Sequence, residues 1–248
     1  MQINKITTKL LFSSFSKLFA SVGLIFFSFI VINLMDKETL GMLTAAISLI
    51  TFLSIFSKFG LNHATLRLVS IFYEKNDKEK IKKLIIYAAI ISGIISSAIS
   101  FLIIFFEKQI AIEIYNNEEF KGVLKIIAIS LPIFTFIQIQ KSLLRSLKLP
   151  ELSNFSDLGF ILFICCLIML FFDIVEVNLS IYRISLFFLL SCLLIFSVNN
   201  FILFYFIILN LKTSAKNKAI DLKKKLTRTL PDYFVIDFIN YSLVWGSI

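Results

Sequence analysis

Polar side chains recur at helical spacing inside three of the long apolar runs of this sequence. A bilayer offers such groups no hydrogen-bond partner, so their positions indicate where water or a ligand lies. At 100° per residue, the members of each set share one side of a helix. The candidate cavity residues are Ser13, Lys17 and Ser21 in the first run, Thr44, Ser48 and Thr51 in the second, and Asp237 and Asn240 in the last. These stripes predict three walls of one hydrated cavity inside a membrane.

Two of these residues are ionisable, and an ionisable group inside a membrane is a functional candidate by default. Asp237 lies well inside its apolar run. Lys17 lies about two turns into its helix, so its stem can also carry the ammonium to the membrane surface. Small polar residues at four-residue spacing equally let helices pack closely, which leaves cavity and packing as open alternatives for the first two stripes. Packing is predicted for the third run along two neighbouring ridges, Ala89, Gly93 and Ser97, and Ala88, Ser92, Ser96 and Ser100.

The composition requires a membrane around most of the chain. Apolar residues make up 58% of the 248, Phe alone contributes 29, and the mean hydropathy is +0.90. A soluble domain of this size could bury only part of that apolar inventory in one core. The net charge of +9 comes from short basic clusters between apolar runs, with no recognition motif, so nucleic acid is not expected as a partner.

No catalytic constellation accompanies the polar residues. The sequence lacks a phosphate-binding Gly-rich loop, a nucleophile motif and paired carboxylates beside a cleft. His63 stands alone, and Cys165, Cys166 and Cys192 all lie in apolar runs, so no metal site is predicted. We therefore expect neither an enzyme nor a cofactor.

The apolar runs predict an all-α integral membrane protein with six full spans and a seventh that begins near the end of the chain. A helix needs about 20 mostly apolar residues to cross the hydrocarbon. The predicted spans are 10–34, 40–57, 84–106, 123–144, 157–173 and 184–211, and the last run is 230–248. The predicted domains are a six-helix bundle (1–211), a cytoplasmic basic linker or amphipathic helix (212–229) and the start of a second bundle (230–248). We expect Pro132 to kink its helix in mid-span and Pro231 to lie in the first turn of the last one.

The positive-inside rule predicts the orientation. With the N-terminus in the cytoplasm, the inner segments carry nineteen Lys and Arg residues and the outer segments carry five. Because cytoplasmic loops are enriched in Lys and Arg, this asymmetry favours a cytoplasmic N-terminus. The heavy use of Ile, Phe, Lys and Asn is typical of AT-rich bacterial genomes, which indicates a bacterial plasma membrane.

Four stretches resemble segments of bacterial polysaccharide (O-antigen type) flippases of the MOP exporter superfamily. Residues 34–42, LMDKETLGM, resemble the acidic first outer loop of those proteins. FGLNHATLR at 59–67, with YEKND at 73–77, is similar to the connection between their second and third helices. LRSLKLP at 144–150 is similar to the fourth-to-fifth loop, and LTRTLP at 226–231 to the start of the seventh helix.

The resemblance implies the N-terminal six-helix bundle of a MOP-type transporter and the first helix of its second bundle, so the chain is expected to be a truncated form. Helices one, two, seven and eight line the family's cavity, in agreement with the three stripes. The implied activity is translocation of an undecaprenyl-diphosphate-linked oligosaccharide by alternating access, for surface polysaccharide synthesis. Lys17 would offset the diphosphate charge, and Arg67 and Arg145 match positions at the cytoplasmic edge. The implied partners are the bilayer, the lipid-linked oligosaccharide, and polysaccharide polymerase and chain-length proteins.

Three other interpretations compete. A drug/cation antiporter of the same fold would carry an acid in its first span, where this sequence has Lys17. A membrane-embedded polysaccharide polymerase or transferase would carry a large outer loop with clustered Arg and His, and the longest predicted outer loop, 107–122, has neither. A structural membrane subunit is the third interpretation, favoured only by the early end of the chain.

Overall fold

A computed structural model describes residues 2–176, 179–210 and 222–245, with side chains for 12–207 and 230–243 apart from 13, 114, 177 and 178. The described chain is all-α, which confirms the predicted fold class. The ten α-helices are α1 (Gln2–Leu34), α2 (Lys37–Lys58), α3 (Leu61–Glu74), α4 (Lys78–Phe105), α5 (Glu107–Gln109), α6 (Phe120–Ser146), α7 (Pro150–Ser153), α8 (Leu158–Ile174), α9 (Ile181–Asn210) and α10 (Leu222–Trp245). A π-helical turn (Ile110–Ile114) follows α5, and a 3₁₀ turn (Asn154–Ser156) follows α7.

Each predicted span coincides with a helix. Within the described residues, α1, α2, α4, α6 and α9 are long and apolar enough to cross a membrane. The fifth span forms α8, whose 17 residues lie at the short limit for a crossing. Large apolar side chains cover the outside of the bundle, among them Ile25 (72% exposed) and Phe105 (71% exposed). Water does not tolerate such a surface on a monomer, but lipid does, so the protein is a multi-pass membrane protein.

Helix α6 lies at the centre of the bundle. It packs against α2, α3, α4 and α9, and most of its inward side chains are fully buried. Helix α1 packs mainly against α8, and α10 packs against α2 and α3. The connections at 58–83 and 141–157 share one end of the bundle, which we call the basic end. Antiparallel neighbours thus place Lys17, Lys58, Lys141 and Asp157 near that end.

Helices α1 and α8 touch backbone to backbone. A Cβ on Gly159 would overlap the carbonyl oxygen of Ala20, and a Cβ on Gly23 would overlap the carbonyl oxygen of Gly159. Small residues at such a crossing let two membrane helices approach more closely than side chains otherwise allow. The rings of Phe19 and Phe163 then close the side of the contact, with centroids 4.8 Å apart.

One of the two predicted packing ridges of the third run is buried, and one of its members compensates a proline. Ala88, Ser92, Ser96 and Ser100 are all buried on α4. The other ridge is less buried and ends at the exposed Ser97. Helix α6 continues through Pro132, which has no N–H to donate to the carbonyl of Ala128 four residues earlier. The Ser100 hydroxyl donates to that same carbonyl oxygen at 2.6 Å. The bond to α4 therefore replaces the one that the proline removes.

We expect Ser100→Ala to lower the free energy of unfolding by about 1–3 kcal/mol, because it leaves the buried Ala128 carbonyl without a partner. Adding Pro132→Ala should recover part of that loss, since an alanine at this position supplies the missing N–H. Thermal unfolding in detergent measures both effects. Ser197→Ala is the control, because the exposed Ser197 hydroxyl bonds to Leu193 of its own helix. Equal stability of the Ser100 and Ser197 variants would contradict this account.

The last helix departs from its predicted start. Helix α10 begins at Leu222, so the expectation that Pro231 lies in a first turn is wrong. A proline inside a membrane-protein helix is tolerated when neighbouring groups satisfy the freed carbonyl. Residues 212–221 of the predicted basic linker lie outside the described part of the chain, whereas 222–229 belong to α10.

Candidate substrate cavity

A cavity of about 700 Å³ opens between α1, α2, α6, α8 and α10 at the basic end of the bundle. Its wall combines charged, amide, hydroxyl and apolar side chains. The lining residues are Lys17, Thr51, Ser54, Ile55, Lys58, Phe134, Gln138, Lys141, Asp157, Leu158, Asp237, Asn240 and Tyr241. The volume falls within the range typical of ligand sites, about 300–1,000 Å³.

The structure brings together one or two members of each predicted stripe. Lys17 of α1, Thr51 of α2, and Asp237 and Asn240 of α10 line the cavity. Ser21 lines an adjoining space of about 260 Å³ that shares Lys17, Asp157 and Leu158 with the main cavity.

Two further predicted residues, Thr44 and Ser48, are described but are not part of this wall. Ser48 and Thr44 precede Thr51 by about one and two turns of α2 and so lie closer to the opposite end of the bundle. Ser48 supplies the backbone carbonyl to which the Thr51 hydroxyl donates, at 2.8 Å. Ser13 lies outside the described side chains.

Three lysines and two aspartates give the cavity an excess of one positive side chain. Lys141 forms an ion pair with Asp157, and both side chains are largely buried. Within the described residues, neither Lys17 nor Lys58 has a carboxylate within ion-pair distance, although Lys58 is close enough to Asp237 to interact with its charge. The two unpaired cations make the cavity attractive to an anion.

Asp237 is held by α3. The Asn62 amide donates to one carboxylate oxygen at 3.0 Å, and His63 Nε2 lies 3.1 Å from the same oxygen. The other carboxylate oxygen is buried and has no hydrogen-bond partner within the described residues. His63 thus contacts a carboxylate that lies 174 positions further along the chain, a pairing that the sequence did not predict.

Gly60 lets α10 reach this position. Its φ of +76° lies in the left-handed region, and a Cβ there would come within 2.7 Å of the Leu230 carbonyl oxygen and 2.8 Å of the Phe234 nitrogen. A glycine satisfies both constraints because it has no side chain. The Phe59 and Phe234 rings stack beside it with centroids 5.0 Å apart, which fixes α10 against the turn between α2 and α3.

The two predicted edge arginines lie outside the cavity wall and contact protein groups. Arg67 donates to the Tyr233 hydroxyl at 3.1 Å and so ties α3 to α10. This hydrogen bond raises the pKa of Arg67, which favours its charged form. Arg145 donates to the Ser153 hydroxyl at 3.2 Å. Both side chains are exposed at the basic end, where their remaining donors are accessible.

A polar segment at 153–157 connects three helices beneath the cavity. Asn154 donates to the Ser16 hydroxyl of α1 at 2.9 Å. Asn199 of α9 donates to the Ser156 hydroxyl at 2.9 Å and to Gln140 of α6 at 3.3 Å. Buried polar groups that are satisfied in this way specify how helices pack in a membrane. The segment therefore fixes Asp157, its last residue, at the cavity wall.

Sequence reasoning missed Lys58, Gln138, Lys141 and Asp157 as cavity residues, although all four belong to the wall. Each lies at or near a helix end, where Lys and polar residues are ordinary features of a membrane boundary. The antiparallel order of the helices could have revealed them, because it places Lys58, Lys141 and Asp157 at the same end of the bundle as Lys17.

A helical bundle that encloses a polar, cationic cavity within an apolar exterior is the architecture of a membrane transporter. Residues 13–175, more than half of the chain, match the MatE family, which belongs to the MOP exporter superfamily. The chain belongs to the MatE family. A search of the curated proteins and of the solved structures gives no significant match. Members of this family are transporters, not enzymes, which at the level of the family opposes the polymerase or transferase alternative.

Proposed function

We propose that this transporter translocates an undecaprenyl-diphosphate-linked oligosaccharide across the bacterial plasma membrane, for surface polysaccharide synthesis. The observation that carries the proposal is the cavity wall, where Lys17 and Lys58 have no carboxylate in ion-pair contact among the described residues. A diphosphate diester bears two negative charges, and lysine ammonium groups bind phosphate as point charges. The amide and hydroxyl groups of Gln138, Asn240 and Thr51 suit sugar hydroxyls.

The shape and surroundings of the cavity support an amphipathic substrate. The lining includes Ile55, Phe134 and Leu158 beside the polar groups, and the outer surface of the bundle is apolar. A prenyl tail would stay in lipid while the head enters the cavity. The arrangement suits alternating access, in which one bundle moves against another around a central site. Polysaccharide polymerase and chain-length proteins are the proposed partners, which would take up the product.

The orientation is part of the proposal. The basic end carries the segments 58–83 and 141–157, which hold ten Lys and Arg residues, whereas Lys37, Lys108, Lys121, Lys125 and Arg183 are spread over the opposite end. The positive-inside rule places the basic end, and the cavity with it, in the cytoplasm. The cavity would then face the compartment in which lipid-linked sugars are made.

A drug/cation antiporter of the same fold remains the second candidate, and Asp237 favours it. The carboxylate is buried on the cavity wall with one oxygen that lacks a hydrogen-bond partner within the described residues. A cationic drug would need such an acid. The excess of lysine over aspartate in the same wall opposes this candidate, because like charges repel a cation.

Reconstitution separates the two candidates. We expect liposomes that contain the full-length protein to flip a fluorescent undecaprenyl-diphosphate oligosaccharide faster than protein-free liposomes, measured by dithionite quenching of the outer leaflet. The cation ethidium is the comparison substrate. Transport of ethidium without any acceleration of the lipid-linked sugar would reject the proposed function in favour of the antiporter.

A further inference from the structure

Asp157 occupies a helix-capping position that its side chain does not use. It is the N-cap residue of α8, with the extended backbone of such residues (φ −73°, ψ 149°), but its carboxylate makes no cap hydrogen bond. The Asp157 carbonyl oxygen instead accepts from two N–H groups of the first turn, that of Phe160 at 3.0 Å and that of Ile161 at 3.2 Å. Short bonds of this kind satisfy helix N–H groups that a side chain leaves unpaired.

Asp36 shows how an aspartate in this position caps its helix. It is the N-cap residue of α2, with a similar backbone (φ −87°, ψ 170°), and its carboxylate accepts from the Thr39 N–H at 2.9 Å. Aspartate is among the best capping residues because its oxygen satisfies an N–H of the first turn. Asp157 therefore has a second stable position available, on the N-terminus of its own helix.

Asp157 pairs with Lys141 and leaves the capping position of α8 unused. The two side chains form an ion pair on the cavity wall, with 19% and 24% of their side-chain surfaces exposed. A largely buried lysine without a counter-ion is costly, and breaking such a pair by removing one partner is strongly destabilising. Lys141 therefore needs an anion both when the cavity is empty and when it is loaded.

We propose that Asp157 is an exchangeable counter-ion: it neutralises Lys141 in the empty cavity and yields Lys141 to the phosphate of an anionic lipid headgroup, while its carboxylate moves to cap α8. This inference rests on the proposed function, since it assigns Lys141 to the anionic part of that substrate. The exchange keeps Lys141 paired throughout. It also requires no backbone change, because Asp157 already has the conformation of a capping residue.

The exchange gives the cavity selectivity for anions that can displace a carboxylate. A neutral or cationic ligand leaves the ion pair intact and gains nothing from Lys141. A diphosphate supplies two charges, so it can contact Lys141 together with Lys17, which shares both adjoining cavities with Asp157. The surrounding segment can stay in place during the exchange, because Asn154 and Ser156 hold it to α1 and α9.

The test measures binding of inorganic pyrophosphate and of undecaprenyl diphosphate to the full chain in lipid nanodiscs, by calorimetry and by native mass spectrometry respectively. Asp157→Asn keeps a good capping residue but cannot pair with Lys141, so it should bind both probes about three- to tenfold more tightly than the natural protein. Lys141→Met should bind at least about tenfold more weakly. The double variant Lys141→Met/Asp157→Asn should match Lys141→Met, because Asp157 acts through Lys141.

Two further variants separate exchange from simpler effects. Asp237→Asn removes a carboxylate from the same wall. Its effect on pyrophosphate affinity should persist when Lys141 is replaced by Met, whereas the effect of Asp157→Asn should disappear. Asp36→Asn is the control, because it changes a helix cap that lies outside the cavity. It should bind both probes with the affinity of the natural protein. The inference is overturned if the Asp157→Asn variant binds pyrophosphate no more tightly than the natural protein. It is also overturned if neither protein binds pyrophosphate. A gain in pyrophosphate affinity without flipping of the lipid-linked sugar leaves the exchange standing and rejects the proposed function.

Discussion

Lys17→Ala should reduce flipping of the lipid-linked oligosaccharide at least about tenfold without lowering the amount of protein in the membrane. Lys17 is a cavity cation with no ion-pair partner among the described residues, and its loss removes the excess positive charge of the wall. Hydrogen bonds to charged groups contribute about 1.5–3 kcal/mol, and each 1.4 kcal/mol changes an equilibrium about tenfold. Dithionite quenching in proteoliposomes measures the rate, and display of the surface glycan reports the same step in cells.

Two control variants test whether the flipping rate depends on a positive charge and on its location in the cavity. Lys17→Arg keeps the cation and should retain much of the activity, while Lys37→Ala removes an exposed lysine at the opposite end of the bundle and should have no effect. If Lys17 only reaches the membrane surface, its replacement by Ala leaves the flipping rate unchanged. Normal flipping by that variant would remove Lys17 from the mechanism.

The helices could be predicted from the sequence because the bilayer imposes both length and composition. Each predicted span from 10–34 to 184–211 coincides with a helix of the structure. Ser92, Ser96 and Ser100 of α4 could also be assigned to packing, because four-residue spacing of small groups is a local property of one helix, although Ser97 of the neighbouring ridge is exposed. The boundaries were less accurate: α10 continues through Pro231, since a proline removes one hydrogen bond without forcing an end.

The cavity could be predicted only in part. A stripe shows which side of a helix is polar, and this was enough to select Lys17, Thr51, Asp237 and Asn240. It does not show how deep along the helix the cavity extends, so Thr44 and Ser48 were included although they lie beyond the wall. Cavity depth depends on how far α10 inserts between its neighbours, which is set by contacts distant in sequence.

The ion pairs depend on tertiary contacts that no local pattern encodes. His63 and Asp237 are separated by 174 positions, and their contact requires the close approach of α10 to Gly60. Asp157 resembles an ordinary helix cap in the sequence, since Asp before an apolar run is a standard start signal. Only its position beside Lys141 turns it into a cavity residue. Among the residues that pair across helices, Asp237 was predicted for the cavity, whereas its partner His63 and the Lys141–Asp157 pair were missed.

The contact that aligns Lys17 with Asp157 gives the largest expected effect on stability. Gly159→Ala adds a Cβ that would overlap the Ala20 carbonyl oxygen and lie 2.7 Å from its carbon, and a backbone atom cannot rotate away. Helices α1 and α8 must separate, so we expect a loss of about 3 kcal/mol or more, with a lower unfolding temperature in detergent and less protein in the membrane. Gly41→Ala is the matched control, because nothing lies within 4 Å of its added Cβ and alanine favours a helix by about 0.5–1 kcal/mol. A Gly159 variant as stable as the Gly41 variant would show that α1 and α8 do not cross at this distance, and the cavity between Lys17 and Asp157 would then need a different geometry.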